Sequence, residues 1–388
     1  MAEFDMSLVQ RGARLRRSPY YTATQAYAPI GFTVYNHMLF PIRFDTFEAE
    51  FEALLNDVTV WDVAVERCLE VSGPDGFRFA QLLTPRDLSR CAVGQARYVL
   101  VCDADGGIIN DPVMTRMADD TFWFALASSD VLLFARGLKN AYPQLDVSLR
   151  ELDVAPMQIQ GPRSKDLLRA LVGAQVDGLR YYFWLRAEVR GIPVIVTRTG
   201  WTSEVGYELY LLDSSRGAEL WAAVMAAGAP FNVRPTGPSD IRRIEGAIFN
   251  WGADMTYENN PLEMGLERLV DWHLPDEAAI SLAALRRIKA AGVTRRIVGV
   301  ELDGDPLPAL NFSKWPAYAV DDAGAGRLGE VTSAIYSPRL RKNIGYCWLP
   351  LELAAEGQRV RVASEWGERT ATVVAMPFVD PAKRIPIT

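Results

Sequence analysis

Met157-Gln158-Ile159-Gln160-Gly161-Pro162, followed by Leu167, Leu168 and Leu171, reads as a strand that breaks at Gly-Pro and turns into an amphipathic helix. The same unit stands earlier in the chain. Cys68-Leu69-Glu70-Val71-Ser72 is strand-like, Gly73-Pro74 breaks it, and Phe77, Ala80 and Leu83 share a helical face. Gly161 follows Gly73 by 88 residues. A whole supersecondary unit recurring at one offset points to two related α+β units. Pro also suits the first turn of a helix, which would by itself place it here twice.

Between the copies, strands are expected at 98–102, 108–114 and 122–127, then a helix capped near Ser129 or Asp130. One of these strands carries an anomaly. In Gly106-Gly107-Ile108-Ile109-Asn110-Asp111-Pro112-Val113 a carboxylate falls where a strand should be apolar. Side chains alternate along a strand, so Asp111 shares a face with Ile109 and Val113. A carboxylate on a buried face needs a partner or a shifted pKa, and Pro112 breaks the ladder beside it. Satisfaction by nearby N–H groups at a meander edge would account for the same residues.

After the second copy come an aromatic cluster, Tyr181-Tyr182-Phe183-Trp184, a strand at 192–199, and the loop Gly200-Trp201-Thr202-Ser203-Glu204-Val205. Core or interface packing accounts for at least half of these rings. On the return strand at 206–212, Tyr207, Leu209 and Leu211 share one face, and Glu208 and Tyr210 the other. Glu208 is thus a second mid-strand carboxylate. Toward the N-terminus, Asp45 and Glu48 read as a capping box for a helix with Phe47, Phe51, Leu54 and Leu55 on one stripe. Ahead of it, 33–41 is one apolar, aromatic stretch holding Tyr35 and a lone His37, read as a satisfied core histidine. Residues 249–272 are irregular and polar, a linker that also lines something. Beyond them the chain is mostly β, and its short strands with Gly/Pro/Asp turns indicate a small barrel or sandwich. Gly324-Ala325-Gly326-Arg327-Leu328-Gly329 matches a dinucleotide motif, but that motif must open a helix, and here strands flank it.

At 388 residues the chain is expected to hold two or three domains. Its formal charge of −7 disfavours nucleic acid or an anionic membrane as the main partner. No apolar run is long enough for a membrane helix and no secretion signal is evident, so a cytoplasmic protein with a polar N-terminal arm is expected. Cys68, Cys91, Cys102 and Cys347 lack metal-ligand or CxxC spacing and read as buried thiols. With only His37 and His273 available, a histidine metal site or Ser-His-Asp triad has little to draw on, so the chemistry needs little acid–base machinery.

Taken together, residues 106–113, 200–210 and Arg243 to Asp254, with Pro261-Leu262-Glu263-Met264-Gly265-Leu266 and Gly329-Glu330-Val331-Thr332-Ser333, resemble the signatures of the glycine cleavage T-protein (aminomethyltransferase) family. The resemblance spans roughly 30–380 in the right order. It implies a three-domain ring: two related α+β domains, one at 1–65 with 153–255 and the other at 66–152, a linker at 256–280, and a barrel-like domain at 281–388. It also implies tetrahydrofolate as co-substrate in the central hole. Asp111 then matches the carboxylate beside the reactive folate nitrogens, Glu208 the acid that accepts from the pterin amino edge, and Trp201 and Tyr98 the folate-contacting aromatics. Three positions depart. Glu66 stands where the family has a folate-facing Met, Ser239 where it has an Arg, and Asp380-Pro381-Ala382-Lys383 where it has a Tyr pair. These departures bear on the T-protein's own task, taking an aminomethyl group from a lipoyl carrier.

Tyr35-Asn36-His37-Met38-Leu39, Val60-Trp61-Asp62-Val63-Ala64, Leu82-Leu83-Thr84-Pro85-Arg86-Asp87 and Asn110-Asp111-Pro112-Val113 are most similar to the dimethylsulfoniopropionate demethylases within that family. This implies methyl transfer from a small methylated onium substrate to tetrahydrofolate. Tyr35, Phe32, Trp184 and Glu66 are the candidate donor contacts, Asp111 the catalytic residue, and a homodimer an allowed assembly. Another folate-dependent O- or N-demethylase, the aminomethyltransferase itself, and a folate-binding sensor or repair module remain the alternatives.

Overall fold

Gly73 and Gly161 adopt the same φ of +117°. A Cβ on either would meet a backbone oxygen, Asp146 O at 2.8 Å or Asp57 O at 2.6 Å, so only glycine fits. The computed structural model describes residues 12–320 and 326–388. In it the repeat holds bond for bond: Asp75 N donates to Asp146 O (3.1 Å) and Arg163 N to Asp57 O (3.0 Å). The helices Gly76–Leu83 and Ser164–Val172 follow. Pro74 and Pro162 therefore sit in the turn ahead of each helix, not in its first turn.

Each copy builds its own antiparallel layer. The first sheet runs Ser148–Glu151, Cys68–Ser72, Thr121–Ala125, Val113–Ala118, Ala96–Tyr98 in spatial order. The second runs Trp184–Val189, Ile192–Thr197, Gly206–Leu211, Ala155–Gln160, Thr59–Trp61, with Arg234–Pro235 parallel at its edge. Helices cover one face of each: Phe79, Leu83, Phe122 and Phe124 fill the first core, and Tyr207, Leu209 and Leu211 turn into the second with Leu167, Leu168 and Trp221. The opposite faces meet through Cys68, Ala125, Ile195 and Tyr210. The C-terminal strands close a six-stranded barrel in the order Arg295–Leu302, Lys342–Pro350, Gly329–Ser337, Trp315–Ala319, Arg359–Ser364, Gly367–Val374. The chain is thus an α+β protein of two related units and a closed barrel. Gly329 opens a strand, as expected for the glycine-rich segment, whose Gly324 and Ala325 lie outside the described residues.

Three local expectations need correction. The helix Phe47–Asn56 is capped by Thr46, which accepts from Ala49 N at 3.2 Å; Asp45 instead accepts from Thr46 N. Residues 33–41 are not one run but the arms of a hairpin, Gly31–Tyr35 and Met38–Arg43. Its two turn residues, Asn36 and His37, both have positive φ (47° and 63°), the twist a two-residue hairpin needs. His37 is consequently exposed, near Asp130, and not a core residue. The strand expected at 108–114 is split into Ile108–Asn110 and Val113–Ala118, with Asp111 and Pro112 between them. Arg242, Arg243 and Glu245, on the helix Asp240–Glu245, are buried beside Ile241 and Ile244. Arg243 pairs with Asp254 at 2.8 Å and donates to Ser333 in the barrel at 2.9 Å. Asp254 also accepts from Thr332 (2.7 Å) and Ser333 (2.6 Å). The charged face of that helix is a joint to the barrel.

Candidate active site

A cavity of about 1820 Å³ lies where the two sheets, the hairpin, the 249–268 segment and the barrel converge. Ligand pockets commonly enclose ~300–1,000 Å³, so there is room for an extended cofactor and a second small molecule. The irregular segment lines it through Phe249, Trp251, Met264 and Arg268, the role expected of it.

Sheet register decides which side chains arrive. Across the second sheet, Trp184 pairs with Thr197, Thr197 with Glu208, Glu208 with Gln158, and Gln158 with Trp61. Directly opposed residues share a face, so these five stand in one row. Trp61, Gln158 and Glu208 reach the cavity. Trp184, at the far edge, does not; its indole N–H donates to Arg116 O at 3.2 Å, tying the two sheets together. Glu208 is 3 % exposed. Its Oε1 accepts from Gln158 Nε2 at 2.8 Å, and its Oε2 from Thr199 (2.6 Å), Tyr210 (3.2 Å) and Thr197 (3.3 Å). Burial raises its pKa while these donors pull it back. Trp201, on the adjoining loop, lines the cavity with its ring 5.8 Å from the Arg243 guanidinium carbon.

The first unit supplies Tyr98, Asp111 and Glu66. Asn110, fully buried, fixes the chain just before Asp111 by donating to Ala127 O (3.0 Å) and Ser129 Oγ (2.7 Å) and accepting from Ala127 N (3.0 Å). Asp111 Oδ2 accepts from the Tyr98 hydroxyl at 3.0 Å. Burial pushes the Asp111 carboxyl up to about 7, against the pull of that hydrogen bond. Glu66 is also raised, by burial first and then by the Glu208 and Asp111 charges. Among the described residues its carboxyl has no hydrogen-bond or ion-pair partner. The site therefore holds three acids of different character: one ringed by donors, one held by a single phenol, and one free.

Of the remaining candidates, Tyr35 lines the cavity from the hairpin and packs edge-on to Phe40. Phe32 faces elsewhere, against Tyr21 at 5.8 Å. The aromatic cluster divides: Tyr181 and Tyr182 reach the cavity, whereas Phe183 packs on the second core. Sequence reasoning assigned no role to Gln158, Arg86 or Lys383, all of which line the cavity. Arg86 donates to Tyr98 O. Lys383, on the C-terminal tail, donates to Ser203 Oγ (3.3 Å) and Gly246 O. Burial, with Arg242 and Arg268 nearby, brings its pKa down to about 8. A signal for Gln158 was present, since an amide interrupts an apolar strand, but its partner needs the register.

This is the construction of a small-molecule transferase: a deep cavity between domains, with convergent acids and aromatic walls and little histidine. Comparison with known proteins fixes the class. Residues 5–274 match the GCVT N-terminal domain, and residues 295–380 the glycine cleavage T-protein C-terminal barrel domain. The chain belongs to the glycine cleavage T-protein family, enzymes that use tetrahydrofolate as co-substrate. It is 37% identical over 368 residues to dimethylsulfoniopropionate demethylase DmdA of Ruegeria pomeroyi, covering 95% of this chain and 98% of that one. It is 31% identical to an aminomethyltransferase of Thermosynechococcus vestitus, covering 96% and 97%. The solved aminomethyltransferase T of Bartonella henselae superposes with a TM-score of 0.84 over 94% of this chain and 98% of that one, at 20% identity, a likeness of fold.

Proposed function

We propose that this enzyme moves a methyl group from dimethylsulfoniopropionate to tetrahydrofolate, yielding 5-methyltetrahydrofolate and 3-(methylthio)propanoate. The observation that carries the reading is the free Glu66 carboxyl among the acids of the cavity, where the family has a methionine. A carboxyl with no partner among the described residues, beside aromatic rings, suits a small onium donor, whose positive charge would favour its ionised form, and Tyr35 adds a ring of the kind worth ~0.5–2 kcal/mol to a cation. Tetrahydrofolate fits the other acids. Glu208 keeps a lone pair on Oε1 for a pterin N–H donor, and Trp201 and Tyr98 offer flat walls.

In the reaction the S–CH3 bond breaks and its electron pair stays on sulfur, which leaves as a neutral thioether. The new bond forms to folate N5, and the proton N5 carried passes to Asp111. A carboxylate titrating near 7 is suited to take that proton at neutral pH and release it to water. A sulfonium needs no acid to leave and N5 no base to attack, so alignment supplies most of the acceleration. The four cysteines are all free and buried, as suits a reducing cytoplasm.

The test is to incubate the protein with tetrahydrofolate and, separately, dimethylsulfoniopropionate, methylated amines, methoxy-aromatics and an aminomethyl-loaded lipoyl carrier. Product with the sulfonium alone supports the reading; product only with the lipoyl carrier identifies an aminomethyltransferase and overturns it.

A further inference from the structure

We infer that Gln158 is a positioning residue that links the grip of Glu208 on its ligand to the loop that carries Trp201. The inference rests on the folate reading of those two residues. Gln158 is 1 % exposed and stands directly across from Glu208 in the sheet. Its Nε2 donates to Glu208 Oε1 at 2.8 Å, and its Oε1 accepts from the Trp201 backbone N–H at 3.4 Å. A carboxylate only accepts and an N–H only donates, so the amide has one workable orientation between them. Neither Met nor Leu makes either bond, Asn is a methylene short, and Glu sets a second negative charge against the first.

The two bonds act on different things. Thr199, Thr197 and Tyr210 already saturate Glu208 Oε2. Gln158 is the lone protein donor to Oε1 among the described residues, so it sets the direction of the lone pair left for a ligand. Its other end meets the loop where Trp201 begins to project into the cavity. Gln160, two residues on, shows what a purely structural amide looks like here. Its Nε2 donates to Thr199 O (3.1 Å) and Tyr207 O (3.2 Å), and its Oε1 accepts from Thr202 Oγ1 (2.7 Å). It lies so close over Gly200 and Gly206 that a Cβ on either would fall 2.2 Å from it. Gln160 locks the loop base, and it does not line the cavity. Gln158 does, and it joins the two groups that would hold the pterin.

The test is a double-mutant cycle with Gln158→Met and Glu208→Gln, read by tetrahydrofolate binding through tryptophan fluorescence, donor KM and melting temperature. Gln158→Met should weaken tetrahydrofolate binding about tenfold, the scale of one hydrogen bond to a charged group. Donor KM should hold, and the two substitutions should weaken binding by less than the sum of their separate effects in the double variant. Should Gln158→Met not fold, Gln158→Glu carries the test: tetrahydrofolate binding should be lost as pH rises and both acids ionise, and return as pH falls. Unchanged binding in a folded Gln158→Met, additive effects in the cycle, or a pH-independent Gln158→Glu would overturn the inference. A wild-type protein that binds no tetrahydrofolate would overturn the folate reading itself, which the variants do not probe.

Discussion

Removing one hydroxyl, Tyr98→Phe, should move the pH profile of turnover to higher pH. The Tyr98 hydroxyl donates to Asp111 Oδ2 at 3.0 Å and pulls the carboxyl down from where burial alone would set it, leaving it at about 7. Hydrogen bonds to charged groups are worth ~1.5–3 kcal/mol, which is about 1–2 pKa units. The ionised form is the one that accepts the N5 proton, so losing its donor raises the pKa and thins out the active form at a given pH. The rising limb should shift from about 7 to about 8–9. At pH 7 the rate should fall roughly 5- to 50-fold, and above pH 9 it should approach that of the wild type. The ring remains, so contact with folate is kept. The assay is kcat against pH for both proteins at saturating substrates. Superimposable profiles, or a drop of equal size at every pH, would refute the assignment of Asp111 as the titrating base.

Further variants separate the roles of the other residues. Asp111→Asn should cut kcat by about 10²-fold or more, within the usual range for a positioned acid or base, and abolish the limb near pH 7, with circular dichroism unchanged. Glu66→Gln should raise the KM for a sulfonium donor about tenfold while kcat stays within about twofold, since the ion contact is the same in ground and transition states; a kcat effect with unchanged KM would contradict this. Asp254→Ala removes one of the two carboxylates paired with the buried Arg243, leaving Asp240, and takes the acceptor from Thr332 and Ser333; chemical denaturation should show a loss of ~1.5–3 kcal/mol.

Much of this architecture could be read from residues alone because it rests on local rules. The 88-residue repeat is legible because each copy needs a glycine where the chain passes a backbone oxygen. Glu208 is legible because strand alternation sets Tyr207, Leu209 and Leu211 against it. What could not be read depends on partners far away in sequence. Arg242 and Arg243 fall off the apolar side of their helix, and only the fold shows that Glu204, Asp254 and, from the barrel, Ser333 meet them there. Trp184 and Glu208 stand in one row of the sheet, and only strand order shows that Trp184 is at the wrong end of it. Phe32 is a candidate only as an aromatic ring for a cation, and its packing on Tyr21 directs it away. Glu66 was legible only as a departure from a family pattern; its lack of a partner is a fact of three dimensions.

The most direct test of the central claim follows the methyl group itself. Dimethylsulfoniopropionate with deuterated methyl groups is mixed with tetrahydrofolate and the protein, with no lipoyl carrier present, and both products are weighed by mass spectrometry. The expected product is 5-methyltetrahydrofolate carrying three deuterons, formed one for one with 3-(methylthio)propanoate that keeps the other labelled methyl. Tetrahydrofolate recovered unlabelled, while an aminomethyl-loaded lipoyl carrier is consumed under the same conditions, would contradict it.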